Sequence, residues 1–242
     1  VSLNKKFQPR PLWQRFPAKL LLLIFMLIVA VYVFGYIVHE VMLEREAEFD
    51  ARAAEFFRNR LVNPEWTPFM KTVTAFGSKE FLIAGYALLC VWYLVRMKQK
   101  RTALDVATIG ISGFVVSDFL KYFFARVRPP DPLIEPLKNY SFPSGHASSG
   151  FIFYGLLAWL VWKSGLPPKW KYFLTTALLL FSLLIGFSRI YLRIHYATDV
   201  IAGFCIGFVW LTASLWLLDR FRTAGPETDN RNYETLSSGR KV

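Results

Sequence analysis

The sequence predicts an all-α, polytopic membrane protein: a bundle of six transmembrane helices with short extracytoplasmic helical segments. Three observations predict it. Of the 242 residues, 54% are hydrophobic and 17% aromatic, more than an ordinary soluble domain carries. The hydrophobicity comes in blocks, and several blocks approach the roughly 17–25 residues that an apolar helix needs to cross a bilayer. The tight loops between these blocks are basic, as cytoplasmic loops of membrane proteins are.

Residues 1–19 form a basic tail with Lys5, Lys6, Arg10, Arg15 and Lys19. Leu20–Val38 is the first span. It has the basic flank of a signal peptide, but the run is long and His39-Glu40-Val41-Met42 offers no small-residue cleavage site, so it reads as an uncleaved anchor. Residues 40–80 read as an extracytoplasmic amphipathic segment. Phe49, Ala53, Phe56, Phe57 and Leu61 recur at helical intervals among charges of both signs, and Asn63-Pro64 ends the pattern. Thr72–Phe76 is a short apolar lead-in, Gly77-Ser78 a turn and Phe81–Val95 the second span. Arg96, Lys98, Lys100 and Arg101 make a basic loop before the third span, Ala103–Phe124. The prolines of Arg126–Phe142 make that connection stiff and non-helical. Ala147–Trp162 is the fourth span, Lys163–Lys171 a basic loop, Tyr172–Phe187 the fifth span and Val200–Leu218 the sixth. Residues 1–222 thus read as one membrane domain, and the polar stretch 223–242 as a disordered C-terminal tail.

An even number of spans puts both termini on one side, together with the basic loops, and the positive-inside rule makes that side cytoplasmic. The net charge of +12 is accounted for by those loops and by an anion site. No basic stripe with interleaved aromatics points to nucleic acid. Cys90 and Cys205 fall inside apolar runs, so they give neither a disulfide framework nor a thiolate metal site.

Three stretches on the opposite side carry chemistry. In Ser188–Asp199, Arg189, His195 and Asp199 lie close in sequence. With a helix starting near Tyr196, the carboxylate four residues after the imidazole can grip one ring nitrogen and leave the other as base, nucleophile or ligand. In Lys121–Pro129, Lys121 and Arg128 are about two helical turns apart, so they are expected to project from one helical face before Pro129 stops the helix. Phe-Pro-Ser-Gly-His at 142–146 precedes the fourth span. Such a helix start leaves backbone N–H groups open to an anion, Gly145 lets the anion approach, and His146 stands beside it. Together these stretches supply permanent cations, a helix N-terminus, two histidines and a carboxylate.

Lys-x6-Arg-Pro, then Pro-Ser-Gly-His, then Ser-Arg-x5-His-x3-Asp resembles the three-part signature of the type 2 phosphatidic acid phosphatase superfamily. The resemblance spans Lys121–Asp199, and residues 1–80 carry none of it. It implies a lipid phosphatase of a bacterial inner membrane with its site facing the periplasm or exterior. The substrate would be a lipid mono- or diphosphate of isoprenoid diphosphate or phosphatidylglycerophosphate type. His195 would be the nucleophile that becomes phosphohistidine, Asp199 would fix its tautomer, and His146 would be the general acid and base. Lys121, Arg128, Ser144, Gly145 and Arg189 would hold the phosphate, with no metal and no cofactor. The partners implied are a phosphorylated lipid and membrane lipids. Arg126, Tyr191 and Arg193 lie outside the signature as secondary candidates for the substrate head group, and Asp118 is expected to position Lys121. Two competing readings are a lipid A phosphatase or phosphotransferase on the same scaffold, and a non-enzymatic anion or lipid transporter.

Overall fold

The computed structural model describes residues 18–43, 48–135 and 139–223. The basic tail up to residue 17 and the C-terminal tail from residue 224 lie outside the described residues.

Among the described residues there are eight α-helices. The first, α1 (Ala18–Val38), runs on into a π turn, His39–Leu43. Helix α2 (Glu48–Phe56) likewise ends in a π turn, Phe57–Leu61. Helix α3 (Thr67–Ala75) opens with Pro68, whose fixed φ suits a first turn. After a short turn, Ser78 caps α4 (Lys79–Val91) by accepting the Phe81 N–H at 3.2 Å. Then follow α5 (Lys100–Phe124), α6 (Gly145–Lys163), α7 (Pro168–Tyr191) and α8 (Ala197–Thr223).

Four of these helices are long and apolar enough to cross a bilayer, over Leu20–Val41, Lys100–Phe124, Pro168–Tyr191 and Ala197–Phe221; α3 and the extended α4, bent by 43° at their break, form a fifth when taken together. Helix α6 was expected as a span as well. Its 19 residues begin Gly-His-Ala-Ser-Ser-Gly, and these polar and small residues lower its apolar content. The segment 40–80 ends its amphipathic pattern at Leu61, just before Asn63-Pro64 as expected, and then adds a further helix. Its second half, α3, buries Met70, Val73 and Thr74 against the bundle, so residues 67–75 belong to the bent pair. The amphipathic reading had no way to separate a membrane surface from a protein surface, because both accept the same apolar stripe.

Helix α6 is the hub, packed against α5, α7 and α8. Leu82, Tyr86, Val106, Ile109, Ile152, Phe153, Leu156, Ile185 and Leu211 form the main core around it. By contrast, α1 packs chiefly along α8 and turns Phe25, Ile28 and Val31 outward, a face that suits lipid and would be costly in water.

One contact in this core positions the site. Gly203 and Gly207 on α8 face the start of α6, and a Cβ at these positions would lie 2.7 Å from the Ser144 carbonyl oxygen and 2.8 Å from that of Ser148. Only glycine lets the two backbones come this close, the small-xxx-small device of membrane helix pairs. The first turn of α8 is thereby pressed against the N-terminus of α6, and the Ser144 N–H donates to the Asp199 carbonyl at 2.9 Å.

Candidate active site

Helix α7 ends at Tyr191. Leu192, Arg193 and Ile194 fold back by donating their N–H groups to the carbonyls of Ser188, Ile190 and Arg189 at 2.9, 3.0 and 3.2 Å. Arg193 takes a left-handed backbone conformation with φ 55°. The turn delivers His195, 2% exposed, to the start of α8. Asp199 lies in the first turn of that helix, where the open N–H groups favour a carboxylate. Its Oδ2 accepts the Tyr196 N–H at 2.9 Å and stands 3.3 Å from His195 Nδ1. This is the grip expected from the four-residue spacing. A carboxylate at Nδ1 accepts a hydrogen bond from that nitrogen and keeps the ring proton there, so Nε2 carries the lone pair.

Nε2 faces Arg128 Nη1 at 3.2 Å. Arg128 gets there differently from the expectation. Helix α5 does not continue to Pro129; it ends at Phe124, and Ala125 turns the chain out with φ 47°. Lys121 therefore stays on the helix while Arg128 lies on the following connection. There its guanidinium donates to the carbonyls of Asn139, Tyr140 and Ile194 and to Asn139 Oδ1, at 2.6–3.1 Å. Four carbonyl-type acceptors fix the plane of the fork against the His195 ring. The reason for the early helix end lies one residue on: Arg126 is claimed by acids elsewhere in the chain.

Those acids include one that the sequence did not single out. Asp50, on α2, is 2% exposed. Its carboxylate accepts from Arg126 Nη2 at 2.8 Å, from the Thr198 N–H at 3.0 Å and from Thr198 Oγ1 at 2.5 Å. Arg126 Nη1 donates to Asp199 Oδ1 at 2.6 Å and to Thr198 Oγ1 at 2.9 Å, and its guanidinium lies 4.1 Å over the Tyr196 ring. Asp50, Arg126 and Asp199 thus make one buried network ending on the His195 ring. Arg126 works behind the carboxylate. Tyr191 is likewise tied elsewhere, its hydroxyl donating to the Asn63 carbonyl at 2.7 Å.

The anion cradle forms at α6. Ser144 caps the helix, its Oγ accepting the Ala147 N–H at 3.4 Å, and it is fully buried. Its hydroxyl lone pair is committed to the cap, so the hydroxyl proton is what it can offer an anion. Lys121, 6% exposed, reaches the same helix end: a Cβ placed on Gly145 would lie 3.6 Å from its Nζ. Asp118 does not position Lys121 by contact; its Oδ2 accepts from Lys79 Nζ on α4 at 3.0 Å. Arg189, 2% exposed, donates Nη1 to Thr74 Oγ1 at 2.7 Å, and its buried Nε has no acceptor among the described residues. Thr74 on α3 is a second residue that no pattern in the sequence singles out. His146 sits where α3 and α4 break, since a Cβ on Gly77 would lie 3.1 Å from its Cδ2.

His195 is held neutral. Burial pushes its pKa well below the ordinary imidazole value, and the positive charges of Arg189, Arg128 and Lys121 push the same way. A neutral ring with a proton on Nδ1 and a lone pair on Nε2, ringed by cations, is suited to attack an electron-poor centre that carries negative oxygens. Among the described residues no group of three or more His, Cys, Asp or Glu side chains is placed to hold a metal ion.

The sequence model of the PAP2 superfamily matches residues 102–223, which hold every one of these signature positions. The chain belongs to the PAP2 superfamily. As a member it is a multi-pass membrane phosphatase. It is 27% identical over 174 residues to phosphatidylglycerophosphatase B of Bacillus subtilis, covering 71% of this chain and 83% of that one. It is 28% identical over 163 residues to undecaprenyl-diphosphatase of Sulfolobus acidocaldarius, covering 65% and 71%. The crystal structure of a transmembrane PAP2 type phosphatidylglycerolphosphate phosphatase from Bacillus subtilis shares the fold, with a TM-score of 0.72 at 22% identity over 84% of this chain and 99% of that one.

Proposed function

We propose that this PAP2 member hydrolyses a lipid mono- or diphosphate, of the isoprenoid diphosphate or phosphatidylglycerophosphate type, at the extracytoplasmic face of a bacterial inner membrane. The observation that carries the reading is the His195 ring, gripped at Nδ1 by Asp199 and facing the Arg128 fork at Nε2. The names of the relatives support the choice of substrate types.

The chemistry follows from the donors on hand. A phosphoryl group entering the site takes over the Arg128 Nη1 donor that now rests on Nε2, and the nucleophilic lone pair is released. Lys121 Nζ, Arg189 Nε, the Ser144 hydroxyl and the Gly145 N–H at the α6 N-terminus hold the other oxygens as charge develops on them. His195 Nε2 attacks phosphorus, and the bond from phosphorus to the leaving oxygen breaks. His146 gives that oxygen its proton. A water then loses a proton to His146 and attacks the phosphohistidine. The N–P bond breaks, leaving inorganic phosphate and a neutral His195. Three fixed cations supply the charge that a metal ion would otherwise bring, so the reaction is metal-independent.

The purified protein, in detergent with excess chelator, should release phosphate from a panel of lipid mono- and diphosphates and be blocked by orthovanadate, which adopts the five-coordinate geometry of the transfer. Loss of activity in chelator, restored by a divalent ion, sinks the metal-free mechanism. Transport without phosphate release sinks the phosphatase reading for this chain.

The topology we propose has six spans: α1, the bent α3–α4 pair, α5, α6, α7 and α8. It is supported by the site itself, because the C-terminal ends of α5 and α7 meet the N-terminal ends of α6 and α8 on one face. Cysteine at Glu135, in a background lacking Cys90 and Cys205, should react with an impermeant maleimide in intact spheroplasts, and cysteine at Gln99 should not. The reverse pattern puts the site on the cytoplasmic side.

A further inference from the structure

A cavity of about 480 Å³ opens beside His195, and most of its wall lies outside the signature. Asp50, Ala54, Glu55, Arg58 and Asn59 of the α2 segment form one side, and Pro129, Pro130 and Arg193 complete the rest with His195 and Tyr196. Two guanidinium groups therefore border it, Arg193 two residues from the proposed nucleophile and Arg58 in the π turn that follows α2. Of the two carboxylates, Asp50 is already engaged by Arg126 and Thr198, which leaves Glu55 alone to offset the two arginines.

Arg193 is the more informative of the pair. Its Nε is buried and has no acceptor among the described residues. A buried donor left unpaired is costly unless a ligand completes it. Its backbone holds φ 55°, a conformation that glycine or asparagine takes at less cost than a long side chain. An arginine in that conformation, lining the cavity beside His195 and with a donor left open, is a ligand-binding group. The phosphate clamp of Lys121, Arg128 and Arg189 is separate from it, so a substrate whose only phosphate is the scissile one leaves Arg193 unused.

We infer that Arg193 and Arg58 form a subsite for a second phosphate of the substrate, next to the one transferred to His195. The ligand class is a lipid that carries two phosphates close together, whether as a diphosphate or as a monoester beside a phosphodiester. The inference rests on the phosphatase reading above, since it places the second phosphate relative to the scissile one. Arg193 and Arg58 are specificity residues here, outside the bond-making machinery.

The test compares substrates matched in tail. Farnesyl diphosphate is set against farnesyl monophosphate, and phosphatidylglycerophosphate against phosphatidate, using the full-length protein in detergent micelles. Arg193→Gln should lower kcat/KM on the two-phosphate member of one or both pairs by about tenfold to a hundredfold, the range for one charge-assisted hydrogen bond. It should leave the one-phosphate members within about twofold, because no contact to them is lost. Which pair responds tells whether the neighbour is an anhydride-linked phosphate or a phosphodiester. Arg58→Gln, at an exposed position, should shift the same ratio in the same direction. Equal losses on both members of each pair, or no loss in either variant, overturn the subsite and leave the phosphatase reading intact. Failure of the unaltered protein to release phosphate from any of the four lipids overturns the phosphatase reading, and the subsite with it.

Discussion

His195→Ala should abolish turnover on every substrate and leave no phosphoenzyme, whereas His146→Ala should fail on lipids and still be phosphorylated by p-nitrophenyl phosphate. The difference follows from the two roles. His195 Nε2 forms the bond to phosphorus, and nothing else within reach of Asp199 can replace it. His146 moves protons. A lipid alkoxide is a poor leaving group and needs one, so lipid turnover in His146→Ala should fall by about 10²–10⁴. p-Nitrophenolate leaves without help, so the first step survives. Water attack then lacks its base and becomes slow. The expected trace is a burst of about one p-nitrophenolate per enzyme and a slow steady state. The trapped phosphate should be acid-labile and map to His195. A folded, vanadate-binding His146→Ala protein that shows neither burst nor label contradicts this division, and a label on His146 in the unaltered enzyme exchanges the two assignments.

Asp50→Ala should injure both stability and turnover, although Asp50 touches neither histidine. Its removal leaves Arg126, whose side chain is 12% exposed, without one of its two carboxylates and strips the Thr198 N–H and hydroxyl of their acceptor. Breaking a buried ion pair by deleting one partner costs about 3–5 kcal/mol, because the remaining charge is left uncompensated. Arg126 then keeps Asp199 as its one carboxylate, and the His195 ring loses the stiffness of its support. Deleting an outer partner of a site ligand typically costs about 10–100-fold. The loss should fall on kcat and spare KM, since Lys121, Arg128 and Arg189 are untouched. Asp50→Asn should keep one acceptor for Thr198 but not the charge, and so land between Asp50→Ala and the unaltered enzyme. Thermal unfolding in detergent and steady-state kinetics measure both effects. Unchanged kcat in a fully folded Asp50→Ala protein removes the network from catalysis.

His195 and Asp199 were legible because, at a helix start, a four-residue spacing lets a carboxylate of the first turn reach back to the ring on the bend before it. The start of α6 was legible for a similar reason: Pro-Ser-Gly-His is a helix beginning with exposed donors whatever surrounds it. The reading failed for Arg128, where a helical period was carried one turn too far. The left-handed turn at Ala125 has no glycine to announce it and is held by the pull of Asp50 and Asp199 on the next residue. It failed again for Asp118, which finds Lys79 on another helix rather than Lys121 on its own.

By itself, the sequence determined the membrane class, the helical runs near the observed α1 and α5–α8, and the types of residue gathered for phosphate chemistry. These are encoded locally, in the length of apolar runs and in short fixed spacings. The tertiary structure alone decided which partners complete those residues. Asp50 and Thr198 are 148 positions apart, and Thr74 and Arg189 are 115 apart. A carboxylate on an amphipathic helix reads the same whether it faces water or a buried arginine, and a threonine reads the same whether or not it meets a guanidinium. Only the packing of α2 and α3 onto the C-terminal end of α7 and the N-terminal end of α8 separates these cases, because that packing removes water and leaves the buried charges dependent on distant partners.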